Sequence, residues 1–101
     1  MKIAISAEKD NISSNVSDVG GRAPYYLIFE DKKLVKSIKN PFSKGGGGAG
    51  FSVAKMLSDE GVELVVSGKI GRNMIESLKR NNIKTKEVSG KKVEEILEEL
   101  K

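Results

Sequence analysis

Four consecutive glycines, Gly45, Gly46, Gly47 and Gly48, followed by Ala49 and Gly50, stand between the pair Asn40-Pro41 and a stretch with helical spacing. A glycine-rich approach to a helix leaves the first backbone N–H groups free of side chains. The helix start also carries partial positive charge, so the arrangement suits an anion. A weaker instance is "SGKIGRN", residues 67–73, where Gly68, Gly71 and Asn73 are accompanied by the cations Lys69 and Arg72. A third is Gly20-Gly21-Arg22, whose guanidinium could clamp an anion through two parallel hydrogen bonds. The plainer alternatives are turn glycines and an ordinary surface arginine. Two familiar phosphate motifs are excluded. Gly45, Gly47 and Gly50 satisfy G-x-G-x-x-G only as any glycine run does, and no acidic residue ends the next strand to take a ribose. Gly68-Lys69 is followed by Ile70 and lacks the glycine five residues earlier, so it is not a P-loop.

The chemistry open to these residues is bounded by composition. The chain has 101 residues, 38% of them apolar, which suits one domain spanning 1–101 with a single fold to serve every motif. Cysteine and histidine are both absent, which excludes disulfides and every thiolate or imidazole ligand from this chain. The formal charge of +4 comes from cations interleaved with acids, as on a solvated surface. That balance permits an anionic ligand without requiring nucleic acid. Apolar runs are far shorter than the roughly 20 residues that span a bilayer, and no signal-peptide core is visible, so a soluble, cytoplasmic protein without membrane attachment is expected.

The elements that must position the glycines follow from periodicity. "KIAISA" (2–7), "PYYLIFE" (24–30) and "VELVVS" (62–67) are apolar on both faces and read as central strands. "KLVKSIK" (33–39), joined to the second strand by a tight turn, carries Lys33, Lys36 and Lys39 as a protected edge, and residues 83–88 alternate as another edge. Helices are expected after the glycine run (Val53, Ala54, Leu57, closed near Gly61), from residue 72 (Met74, Ile75, Leu78, closed at Asn81-Asn82), and at the end (Val93, Ile96, Leu97, Leu100). The order β-β-β-α-β-α-β-α predicts an α/β fold with a ribonuclease-H-like motif. Its five-stranded mixed sheet has the order 3-2-1-4-5, with strand 2 antiparallel and helices packed on it. The loops 8–22, 40–50 and 67–71 then fall on one edge, the carboxyl ends of the parallel strands, where ligands of open α/β sheets bind.

Other residues have simpler explanations. Glu8 and Asp10 follow the first strand, but a ribonuclease-type nuclease needs several carboxylates converging on two metals. Tyr25 and Tyr26, adjacent in a two-faced strand, suit core or half-buried cover better than base stacking. Glu94, Glu95, Glu98 and Glu99 form the solvated back of the last helix, with Lys91 and Glu95 as an i, i+4 pair.

The succession "GRAPYYLI", "NP", "GGGGAG", "GVELVVSGKIGRN" and "LKRNNIK" resembles the nitrogenase accessory factor family, also called the dinitrogenase iron-molybdenum cofactor biosynthesis family, over nearly the whole chain. The resemblance implies a ribonuclease-H-like fold and the binding or carrying of an iron-sulfur or iron-molybdenum cluster or its precursor, with cluster-assembly proteins as partners. Gly21, Arg22 and Ala23, the glycines at 45–48 with Gly50, and Gly68, Gly71 and Asn73 occupy the matching positions. Where family members often carry an aromatic before the Gly-Arg pair, this chain has Val19 and Gly20. The resulting expectation is a non-catalytic binding or carrier protein for an anionic cofactor, with Gly21, Arg22, Gly45, Gly46, Gly47, Gly48, Gly50, Gly68, Gly71 and Asn73 as its site. The cluster, if bound, receives no Cys or His ligand from this chain. A protein-interaction module in cluster assembly is the alternative, a metal-dependent nuclease the third.

Overall fold

The computed structural model describes residues 1–44 and 49–100. Its elements are β1 (Lys2–Ala7), β2 (Tyr25–Glu30), β3 (Lys33–Lys39), α1 (Ala49–Asp59), β4 (Leu64–Ser67), α2 (Arg72–Arg80), β5 (Lys84–Glu87) and α3 (Val93–Glu99). The sheet order is β3-β2-β1-β4-β5, with β2 antiparallel to both neighbours and β1, β4 and β5 mutually parallel. This is the expected ribonuclease-H-like arrangement.

The strands are central because their side chains alternate between two apolar faces. On one face Ala4, Tyr26, Ile28 and Val65 pack beneath Val53, Ala54 and Leu57 of α1 and Met74 and Leu78 of α2. On the other, Ile3, Ile5, Leu27, Phe29 and Val66 pack against Val93 and Ile96 of α3. Each buried aliphatic or aromatic side chain contributes about 1.5–3 kcal/mol, so a polar substitution in β1 or β2 would remove more than any loop contact supplies. At the outer edge, β3 is exposed at all but one position, consistent with its lysines.

The connections obey local rules. Asp31 and Lys32 both take positive φ, 50° and 70°, the requirement of the hairpin turn whose twist matches its strands. α1 ends with Gly61 at φ 76°, where the Gly61 N–H bonds Ser58 O at 3.0 Å and the Val62 N–H bonds Leu57 O at 3.3 Å. α2 ends in the same way with Asn82 at φ 59°, its N–H bonding Lys79 O at 3.0 Å while Ile83 bonds Leu78 O at 2.9 Å. At α3 the expected Lys91–Glu95 pair is replaced. Glu95 accepts the Lys92 N–H at 2.9 Å, occupied in capping its own helix, and Lys91 pairs with Glu99 instead. No described helix is long and apolar enough to cross a membrane.

Candidate functional site

β1, β3 and β4 end at the same edge of the sheet, so the segments that follow them meet there. The segment after β1 is stitched to the one after β4: Gly68 N–H bonds Ser17 O at 2.8 Å, Lys69 N–H bonds Asp18 O at 2.7 Å and Gly20 N–H bonds Lys69 O at 2.9 Å. Beneath this ladder the Ser6 hydroxyl donates to that of Ser67 at 2.7 Å, which satisfies two buried polar groups at the ends of β1 and β4. Buried Tyr26 donates its hydroxyl to Gly20 O. Burial pushes its phenol well above the usual tyrosine range, so it remains a neutral donor.

Gly20 to Ala23 form a turn, with the Ala23 N–H 3.3 Å from Gly20 O. Asn40, just past β3, reaches across to it: the side-chain amide donates to Gly21 O at 3.2 Å and Ala23 O at 2.9 Å. At the end of β5 the Glu87 carboxylate accepts the Ile70 N–H at 3.0 Å, which fixes the segment ahead of α2. Gly71 then serves as the N-cap of α2 with φ −65° and ψ 157° and no capping side chain. The Ile75 N–H bonds Gly71 O at 2.9 Å, the first bond of the helix. The N–H groups of Arg72, Asn73 and Met74 precede any such bond and have no carbonyl one turn earlier within α2.

The two helix starts touch. A Cβ on Gly50 would stand 3.0 Å from Met74 Cβ, and a Cβ on Gly21 would stand 3.5 Å from the Gly50 nitrogen. Around this contact lies an open cleft of about 340 Å³ lined by backbone and side chains of the three segments, including Arg22, Lys69, Arg72 and Asn73. With guanidinium and ammonium groups at its walls and a helix start at its floor, the cleft is electropositive and suited to an anion.

The expected site residues divide accordingly. Gly21, Arg22, Gly50, Gly71 and Asn73 all line this cleft. Gly68 lies outside it, in a neighbouring depression with Asp18, Glu87 and Val88. Its lack of a side chain has a packing cause, since a Cβ there would stand 2.4 Å from Asp18 O. Gly45, Gly46, Gly47 and Gly48 lie outside the described residues. Lys69 and Arg72, noticed in the sequence only as neighbouring charges, belong to the lining, as do Val19 and Met74. Asn40 was legible only as half of an Asn-Pro pair. Among the described residues no group of three or more His, Cys, Asp or Glu could hold a metal ion.

A family model described as dinitrogenase iron-molybdenum cofactor matches residues 1–101. A candidate NifB protein from Thermotoga, of the DUF35 family, is 31% identical, with TM-score 0.83 over 96% of this chain and 84% of its own. The apo form of the orange protein from Desulfovibrio gigas has TM-score 0.89 at 22% identity, over 96% of this chain and 83% of its own. A candidate dinitrogenase from Methanocaldococcus jannaschii has TM-score 0.67 at 20% identity, over 96% and 84% respectively. These last two likenesses concern the fold. No curated protein matches the chain.

Proposed function

The chain belongs to the dinitrogenase iron-molybdenum cofactor family, and from that premise we propose that it is a non-catalytic binding or carrier protein. Its cargo is an anionic cofactor, an iron-sulfur or iron-molybdenum cluster or its precursor, held in the cleft between the starts of α1 and α2. The observation that carries this reading is the convergence of Arg22, from the segment after β1, with Lys69 and Arg72, from the segment after β4, around the glycine-capped start of α2. Three cations and a helix start attract a preassembled anion through charge and hydrogen bonds.

The donor set defines how such a cargo is held. With neither Cys nor His in the chain, metal–thiolate and metal–imidazole bonds have no source here. The chain therefore fits a cluster whose sulfur and oxygen atoms accept hydrogen bonds, and does not fit one that needs protein ligation. The cleft's Arg, Lys, Asn and Met side chains include no nucleophile paired with a general base, which favours carriage over catalysis. A second reading, docking onto a cluster-assembly protein, draws on Val19 and Phe51, exposed by 50% and 43% on the segments that meet at the cleft.

Native mass spectrometry of protein purified anaerobically from its own source tests the carrier reading directly, because a retained cargo is weighed with the chain. Tetrathiomolybdate, a molybdenum–sulfur dianion, serves as the titration probe in vitro. A bound mass, or saturable thermal stabilisation by the probe that salt weakens, is expected. Absence of both, with tight association to an assembly protein through Val19 and Phe51, would replace carriage with docking.

A further inference from the structure

We propose that Asn40 is a positioning residue that holds Arg22 at the mouth of the cleft, an inference whose bearing on cargo rests on the function proposed above. Asn40 is only 2% exposed, unusual for an amide side chain outside any helix or strand. Its Nδ2 donates to Gly21 O at 3.2 Å and Ala23 O at 2.9 Å, the carbonyls on either side of Arg22. Its Oδ1 accepts the Phe42 N–H at 2.9 Å, and its own N–H bonds Pro24 O at 2.9 Å. Two carbonyls on one side and an N–H on the other fix which way the amide faces.

The chemistry required is narrow. One planar group must supply two donors and one acceptor; aspartate supplies no donor and serine only one. Within the turn, the direct backbone tie from Ala23 to Gly20 is long, at 3.3 Å. Asn40 therefore clamps the stretch of backbone from which the exposed Arg22 side chain projects. It also joins that stretch to the segment leading toward α1. Holding the backbone on both sides of residue 22 fixes the point from which the Arg22 side chain starts and lowers the ordering cost of binding.

Trypsin under native conditions reads this tie without any ligand, since it cuts after Arg22 and, as internal controls, after Lys55 and Arg80. In Asn40→Asp, cleavage after Arg22 is expected to quicken by about tenfold while cleavage after Lys55 and Arg80 stays within about twofold of wild type. Asn40→Ser, which keeps one donor, should fall between, and it decides the question in the same terms if Asn40→Asp does not fold. Equal acceleration at all three bonds would mean that Asn40 only stabilises the fold, and unchanged cleavage after Arg22 in a folded variant would mean that the tie is idle; either overturns the inference. Calorimetric titration with tetrathiomolybdate tests the link to cargo: Asn40→Ser should weaken binding about fivefold with Arg22 present and less than about twofold in the Arg22→Ala background. Additive losses would overturn the link to Arg22. No binding by wild type would remove the carrier function, while the cleavage ratio would still decide whether Asn40 holds Arg22.

Discussion

Gly50, in the first turn of α1, lies so close to Met74, in the first turn of α2, that a Cβ built on it would stand 3.0 Å from Met74 Cβ and 3.2 Å from the Met74 nitrogen. The contact is what brings two helix starts to one cleft. A bulkier residue would have to push against backbone, which cannot rotate away as a side-chain tip can.

Gly50→Val is therefore expected to destabilise the protein by about 1–3 kcal/mol through overpacking, measured by urea denaturation. Gly50→Ala sets two effects of similar size against each other. Alanine gains about 1 kcal/mol in helix propensity and loses a comparable amount at the Met74 contact, so its net change should be small. A Gly50→Val variant as stable as wild type would show that the helix starts separate easily.

Gly68 and Gly71 should behave oppositely although they flank the same loop. A Cβ at Gly68 would meet Asp18 O at 2.4 Å, whereas none of the described atoms lies within 4 Å of one at Gly71. Gly68→Ala should cost about 2 kcal/mol or more, and Gly71→Ser should be neutral or stabilise by a few tenths, about 0.3 kcal/mol, by capping α2. The new Ser oxygen would take the N–H groups proposed for the cargo. Gly71→Ser should accordingly bind tetrathiomolybdate more weakly while melting no lower, and undiminished binding would place the anion elsewhere.

Removing charge should weaken the anion without unfolding the chain. Arg22→Ala and Lys69→Ala are each expected to reduce affinity for tetrathiomolybdate by about tenfold, the scale of one charge-assisted hydrogen bond. The loss should shrink as salt rises, because both side chains are exposed and the Debye length falls to about 3 Å at 1 M. Equal affinity in wild type and both variants would discard the cleft as the binding site.

Burial of Tyr26 couples folding to alkaline pH. Burial holds its phenol protonated in the folded state, so its folded pKa lies above its unfolded one near 10. The contribution is fully present below the unfolded value and is lost as pH rises above it, since the unfolded chain alone can then release the proton. Spectrophotometric titration should show one tyrosine ionising only as the protein unfolds. Tyr26→Phe should abolish that coupled step and cost about 1 kcal/mol at neutral pH for the hydrogen bond to Gly20 O. Two tyrosines titrating in the folded state would contradict the burial of Tyr26.

How the fold was legible and the cleft only partly so can be read from particular residues. Apolar residues on both faces of residues 2–7, 24–30 and 62–67 leave no choice but a sheet covered on both sides. The short turn at Asp31-Lys32 forces an antiparallel hairpin, while helical crossovers force parallel neighbours, so the strand order follows from patterns a few residues long. Gly61 and Asn82 likewise announce helix ends through their own backbone preferences. Each of these depends on local chemistry, which a single stretch of sequence carries in full.

Contacts between distant segments are another matter. That a glycine at 68 is required by Asp18, and one at 50 by Met74, depends on distances that exist only once the sheet has brought three chain segments to one edge. The sequence marked Lys69 and Arg72 as charges near a glycine, yet only the ladder linking residues 17–20 with 67–69 places them beside Arg22. Asn40 is the clearest case. An asparagine before proline is an ordinary turn signal, and its role as a buried clamp on Gly21 and Ala23 arises from β3 running alongside β2, a pairing that delivers its amide to carbonyls nearly twenty positions back in the chain. Periodicity and turn chemistry are local, so the segments of the sheet and its helices can be read one stretch at a time. Burial and hydrogen-bond partners belong to segments in contact, so the side chains that share the cleft emerge only when the folded sheet brings those segments together.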